Sequence, residues 1–146
     1  MREIKFRGRR IDDKSWVYGS LITIGGKAWI VPCDIKPEQI MQTGLYRINV
    51  PAFEVDPATV GQFTGLHDKN GKEIYEGDVV RLGYNAIHDG VITKCVWAEW
   101  RPGFIYEFIT GENEGRYTDM MDTWRTYEII GNIHENPELL GEEPKS

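Results

Sequence analysis

Cysteine is scarce in this sequence. Of 146 residues only Cys33 and Cys95 carry a thiol. Their separation fits no C-x-x-C spacing, which excludes a zinc ribbon or a thioredoxin-type redox motif. Each ends or lies within an apolar run, Ile30-Val31-Pro32-Cys33 and Lys94-Cys95-Val96-Trp97, so both are expected as buried free thiols of a reducing compartment. Histidine is almost as rare. His67, His88 and His134 show neither H-x-x-x-H nor H-E-x-x-H spacing, which removes sequence-local zinc sites. No stretch approaches the ~18 apolar residues of a membrane span, and Met1-Arg2-Glu3-Ile4-Lys5 offers no apolar signal region. A cytoplasmic chain with no membrane role is the expectation.

Positive charge is also in deficit. Seventeen Lys and Arg against 23 Asp and Glu leave a net charge of −6. Such a balance keeps a protein soluble and repels polyanions at long range, so sequence-independent nucleic-acid binding is disfavoured. One local exception stands at the start, where Arg2, Lys5, Arg7, Arg9 and Arg10 fall within ten residues. Alternating charges of this kind protect an edge strand from pairing with another molecule, and they also suit a phosphate backbone.

Nucleotide and metal motifs fail on inspection. Gly25-Gly26-Lys27 lacks the earlier glycine and the following hydroxyl of a P-loop, and no G-x-G-x-x-G is present. Asp68-Lys69-Asn70-Gly71 opens like a calcium loop, but its glycine comes too early and the twelfth residue is Val79 instead of Glu. The acid pairs Glu112 with Glu114 and Asp119 with Asp122 lie in polar sequence, where carboxylates serve solubility. An enzymatic reading requires His67, His88 or His134 to meet acids in one pocket. No catalytic residue, metal site or cofactor is therefore assigned, and a non-enzymatic protein is expected.

Aromatic residues are plentiful: five Trp, seven Tyr and five Phe. Flat, rigid side chains pack well on a pleated surface. Trp16 to Ile24 and Ala28 to Cys33 read as strands around a Gly25-Gly26 turn, and Asn70-Gly71 tips a second hairpin. Gly77-Asp78 opens a strand, Gly90 to Trp100 and Phe104 to Ile109 follow, and Tyr127 to Ile133 closes the series. Phe104, Tyr106 and Phe108 share one face. Asp56-Pro57-Ala58-Thr59 reads as a turn or single helical turn, and Lys36 to Thr43 and Asp119 to Arg125 as short helical pieces. A faint echo relates Phe6-Arg7-Gly8 to Phe63-Thr64-Gly65 and Val17-Tyr18 to Ile74-Tyr75 at one spacing.

The expected fold is mainly β: small bent sheets or SH3-like barrels built from hairpins, with one or two short helical turns. Residues 1–76 form an N-terminal hairpin region sharing a core with the second half, 77–135 a meander or small barrel, and 136–146 a flexible tail. Trp97, Trp100, Arg101, Trp124 and Arg125 are the candidate interaction surface. Interleaved Trp and Arg anchor protein interfaces, stack on single-stranded nucleic acid, or fill a core with Arg lying over the rings.

The chain also resembles the YopX-like family of phage and prophage proteins over nearly its whole length. The likeness is carried by Met1-Arg2-Glu3-Ile4-Lys5-Phe6-Arg7-Gly8, by Trp16-Val17-Tyr18-Gly19, and by the run from Val55 to Val80 that includes Asp56-Pro57-Ala58-Thr59 and Asp68-Lys69-Asn70-Gly71-Lys72. Tyr127 to Leu140, with Asn132-Ile133-His134-Glu135-Asn136-Pro137, completes it. The resemblance implies a phage or prophage accessory protein with no assigned activity and no catalytic residues to carry over. Residues 83–126, which contain the Trp/Arg set, are the expected partner-specific part. A host or phage protein is the expected partner, together with self-association into a homo-oligomer.

Overall fold

The computed structural model describes residues 3–36, 51–83, 91–98, 103–109, 116–119 and 126–140. They contain ten antiparallel strands and one 3-10 turn, so the mainly β expectation holds. The chain divides into two compact units, Met1–Phe63 and Thr64–Ser146. The sequence reading set its boundary at residue 76.

Four strands build the first unit: β1 (Phe6–Arg10), β2 (Trp16–Ile24), β3 (Lys27–Pro32) and β4 (Phe53–His67), the last of which continues into the second unit. β1 pairs with β2, β2 with β3, β3 with β4, and β4 again with β1. The pairings thus close on themselves. Val55 marks the closure, standing opposite both Ala28 and Arg10. Val17, Ala28, Ile30 and Val55 form the buried core, with Phe6, Leu21, Phe53 and Val60 packed against it. Closure corrects the edge-strand explanation of the basic N-terminus, because β1 is flanked on both sides. Its cations are engaged locally: Lys5 with Glu3 at 3.2 Å, and the Arg10 guanidinium with Asp12 at 2.9 Å.

The β2–β3 hairpin turns at Gly25 and Gly26, whose φ angles of 57° and 79° define the positive pair that a two-residue turn between twisted strands requires. Segment 56–59 corrects the sequence reading. It is no helical turn but part of β4, although its turn chemistry is real. The Asp56 carboxylate accepts the Ala58 amide, and the Thr59 hydroxyl donates to the Asp56 carbonyl while accepting the Arg9 amide at 2.9 Å. The register against β1 jumps from Arg7↔Gly61 to Arg9↔Asp56 at this point. The segment is a bulge that bends β4 without ending it.

In the second unit β5 (Glu73–Tyr75) pairs with the far end of β4. A second sheet follows in the order β10-β6-β7-β8-β9, with β6 (Asp78–Gly83), β7 (Val91–Trp97), β8 (Phe104–Phe108), β9 (Tyr117–Asp119) and β10 (Thr126–Asn132). The core of the second unit holds Ile74, Val80, Leu82, Cys95 and Tyr106, with Phe104 and Phe108 against it on the expected face. The 3-10 turn lies at Pro137–Leu140, within the span 136–146 expected as a tail. The two helical pieces read at Lys36 to Thr43 and Asp119 to Arg125 fall almost entirely outside the described residues. Lys14, at φ 65°, and Gly71, at φ 82°, occupy the same place in the internal echo, and each tips a hairpin.

Candidate interaction surface

Side chains directly opposite one another in an antiparallel pair share a face. The β2–β3 register sets Ile22 against Trp29, Ser20 against Val31, and Ile24 against Lys27. Leu21 against Ile30 and Thr23 against Ala28 belong to the other face, which covers the core. The ribbon therefore has an apolar outer side as well. Ile22 is 41% exposed and Ile24 67%, and Tyr18, further along the same face, is 40% exposed. Trp29 and Val31 between them are half-buried. Of the seven exposed large hydrophobics among the described residues, five (Ile4, Ile11, Tyr18, Ile22 and Ile24) belong to the first unit. Contiguous apolar exposure of this kind marks binding surfaces, whereas isolated exposed residues do not.

The face runs into a groove. Trp16, Val17, Tyr18, Pro32, Cys33, Asp34, Ile35, Pro51 and Phe53 surround an open cleft of about 600 Å³. Its aromatic walls are braced from outside the cleft. Arg7, only 6% exposed, stacks on Trp16 at 4.8 Å, and Arg10 stacks on Phe53 at 4.0 Å. The Arg10 charge is met by Asp12 and Asp13, whose carboxyls are held below the usual aspartate value. For Asp12 the leading cause is the Arg10 hydrogen bond; for Asp13 it is the Ser15 hydroxyl. Asp34 is exposed and forms no ion pair among the described residues. Cys33 is exposed too, which corrects its reading as a buried thiol; Cys95 is fully buried as expected. The apolar run before Cys33 is real, but the residue sits past the last pairing of β3, where the outer face meets solvent.

Of the surface read from the sequence, Trp97 alone is described. It ends β7, is 44% exposed, and meets Phe104 edge-on at 5.0 Å. Its amide bonds the Glu76 carboxylate, whose pKa is raised by burial in spite of that bond. Trp100, Arg101, Trp124 and Arg125 lie outside the described residues, as do His88, Glu112, Glu114 and Asp122. His67 is exposed and His134 half-buried, and no described group of three or more His, Cys, Asp or Glu is placed to hold a metal ion. No described helix is long and apolar enough to cross a membrane. The sequence reading missed the β2–β3 face, although apolar residues at both alternating positions from Leu21 to Ile24 were its signal.

These features make a two-sheet antiparallel, β-rich scaffold with an apolar ribbon face and an open aromatic groove, and two comparisons say which scaffold. The model of the YopX protein family matches residues 5–141, so the chain belongs to that family. The crystal structure of protein EF1440 from Enterococcus faecalis is similar, with a TM-score of 0.53 and 25% identity over 96% of this chain and 99% of that one. Among curated proteins none matches.

Proposed function

We propose that this YopX family member is a non-catalytic protein-interaction module, a phage or prophage accessory protein that holds a partner protein on the outer face of β2–β3 and the adjoining groove. The observation that carries the reading is the paired exposure of Tyr18, Ile22 and Ile24 along one side of a ribbon whose other side already covers a core. Exposed isoleucine on a flat sheet face favours association in water, by roughly 25 cal/mol for each Å² it removes from solvent. A solitary protein gains nothing from it and risks aggregation. The single-stranded nucleic-acid reading has less support, since Lys5 and Arg10 are matched by neighbouring acids, Arg7 is buried, Arg9 bonds the Lys14 carbonyl, and the chain's net charge is −6.

Capture from host lysate by the tagged chain, compared with an Ile22→Ser/Ile24→Ser variant, tests the proposal. A protein held in stoichiometric amount by the parent and lost by the variant, with the variant's circular dichroism and urea midpoint unchanged, supports it. Retention of that protein by the folded variant moves the contact elsewhere, with the Trp97 end of β7 as the next surface to alter. Sedimentation of the purified chain shows whether the same face joins two copies.

A further inference from the structure

We propose that the groove between Trp16, Tyr18 and Phe53 receives a proline-rich segment of the partner in the polyproline II conformation, with a Lys or Arg of that segment set against Asp34. The inference deepens the interaction reading and rests on it.

The form of the cleft selects an extended peptide over a small ligand. Small-molecule sites enclose most of their ligand's surface, whereas this cleft is widely open to solvent along its approach. Its lining selects proline. Three aromatic rings and two prolines, Pro32 and Pro51, make walls with few rotamers to lose, and the stacked guanidiniums of Arg7 and Arg10 fix two of the rings. A polyproline II segment is preordered and exposes its ring ridges without internal hydrogen bonds, so it loses little entropy when it docks on aromatic walls. A β-strand ligand would instead require a row of unpaired backbone groups, whereas β2, β3 and β4, which contribute to the cleft, are each paired with two neighbouring strands.

Charge selects the flanking residue. Arg10 is balanced by Asp12 and Asp13, and Arg7 is buried under Trp16. Asp34 is then the exposed charge of the groove that has no ion pair among the described residues. A cation on the peptide meets both this carboxylate and the exposed Tyr18 ring. An anionic flank is repelled by that carboxylate.

The test uses the full chain and three fluorescein-labelled decamers read by anisotropy: one rich in proline with a single Arg, the same peptide with that Arg replaced by Glu, and one with every proline replaced by Ala. The Arg peptide is expected to bind, and the other two to bind at least about ten-fold more weakly. Tyr18→Ala should weaken the Arg peptide by a similar factor. Asp34→Lys should invert the preference so that the Glu peptide binds more tightly, an outcome that damage to the fold does not produce. Equal binding of the proline and alanine peptides overturns the proposal, and so does an Arg preference that survives Asp34→Lys. If no decamer binds while Tyr18→Ala still strips the captured lysate protein, the proline assignment falls and the interaction module stands. If Tyr18→Ala strips nothing either, both fall.

Discussion

The Asp68 carboxylate reaches across sixty-one residues of sequence to accept the Ile129 amide at 3.1 Å. Its other oxygen accepts the amides of Asn70 and Lys72, each at 2.9 Å. One side chain therefore shapes the β4–β5 hairpin tip and fastens it to β10. The Lys69 amide adds a bond to the Tyr127 carbonyl at 2.8 Å, and its ammonium lies 3.3 Å from Glu128. The signature Asp68-Lys69-Asn70-Gly71-Lys72 is thus a structural clasp. It fastens the hairpin tip of the second unit to β10.

Asp68→Ala removes three bonds to a charged acceptor and leaves the part-buried amides of Asn70, Lys72 and Ile129 without it. A loss of about 2–4 kcal/mol follows, measured as a lowered urea midpoint, with Asp68→Asn losing less. Burial pushes the Asp68 pKa up, but the Lys72, Ile129 and Asn70 amides outweigh it and hold the value below 3.8. A depressed folded value means that its stabilisation is complete above the ordinary aspartate range and disappears as pH falls through the folded value. Acid titration of the parent and of Asp68→Asn checks the sign: the gap between them should narrow below about pH 4.

Gly19 is held by space. A Cβ there would collide with the Val31 carbonyl oxygen inside the β2–β3 pairing. Gly19→Ala should destabilise the first unit by about 3 kcal/mol, since backbone cannot step aside as a flexible side chain does. Gly25→Ala meets no atom within 4 Å and suffers only from its φ of 57°, so its loss should be smaller. Thermal melts of the two variants make the comparison.

Tyr106 is the opposite case. Its hydroxyl is buried and has no hydrogen-bond partner among the described residues. Burial, reinforced by the neighbouring Cys95, Tyr127 and aspartate charges, raises the phenol's pKa far above its ordinary value. Removing an unsatisfied hydroxyl relieves a desolvation cost, so Tyr106→Phe is expected to be neutral or to stabilise by up to about 1 kcal/mol. A loss exceeding that range in a urea melt shows that the hydroxyl is bonded.

The two thiols differ in access. A thiol reagent should modify Cys33 quickly in the native protein and reach Cys95 only on unfolding, giving one fast thiol per chain. Alkylated Cys33 carries added bulk into the groove and should abolish peptide binding there.

The parts of this fold legible in the sequence are those with local causes. Gly25-Gly26 and Asn70-Gly71 announce hairpins because positive φ demands such residues, and Phe104, Tyr106 and Phe108 show their shared face through a period of two. What escaped depends on distant partners. Asp56-Pro57-Ala58-Thr59 has genuine turn chemistry, and nothing local tells that pairing with β1 resumes beyond it. The charges of β1 suggest an edge until β4 is seen to close the ring. Cys33 reads as apolar by its neighbours, yet its exposure is decided by where the β2–β3 ladder ends. Ile22 and Ile24 reveal a strand but not which of its faces is left uncovered. The Trp/Arg set expected from the sequence points elsewhere: Trp97, its one described member, is exposed on a separate sheet.

Site-specific photo-crosslinking separates the two surfaces most directly. A benzophenone side chain is placed in turn at Tyr18, Ile22 and Trp97 of the full chain, which is then irradiated in host lysate. One common protein adduct is expected from Tyr18 and Ile22, and none of that species from Trp97. An adduct formed from Trp97 alone, with Tyr18 and Ile22 silent, would contradict the proposed β2–β3 surface.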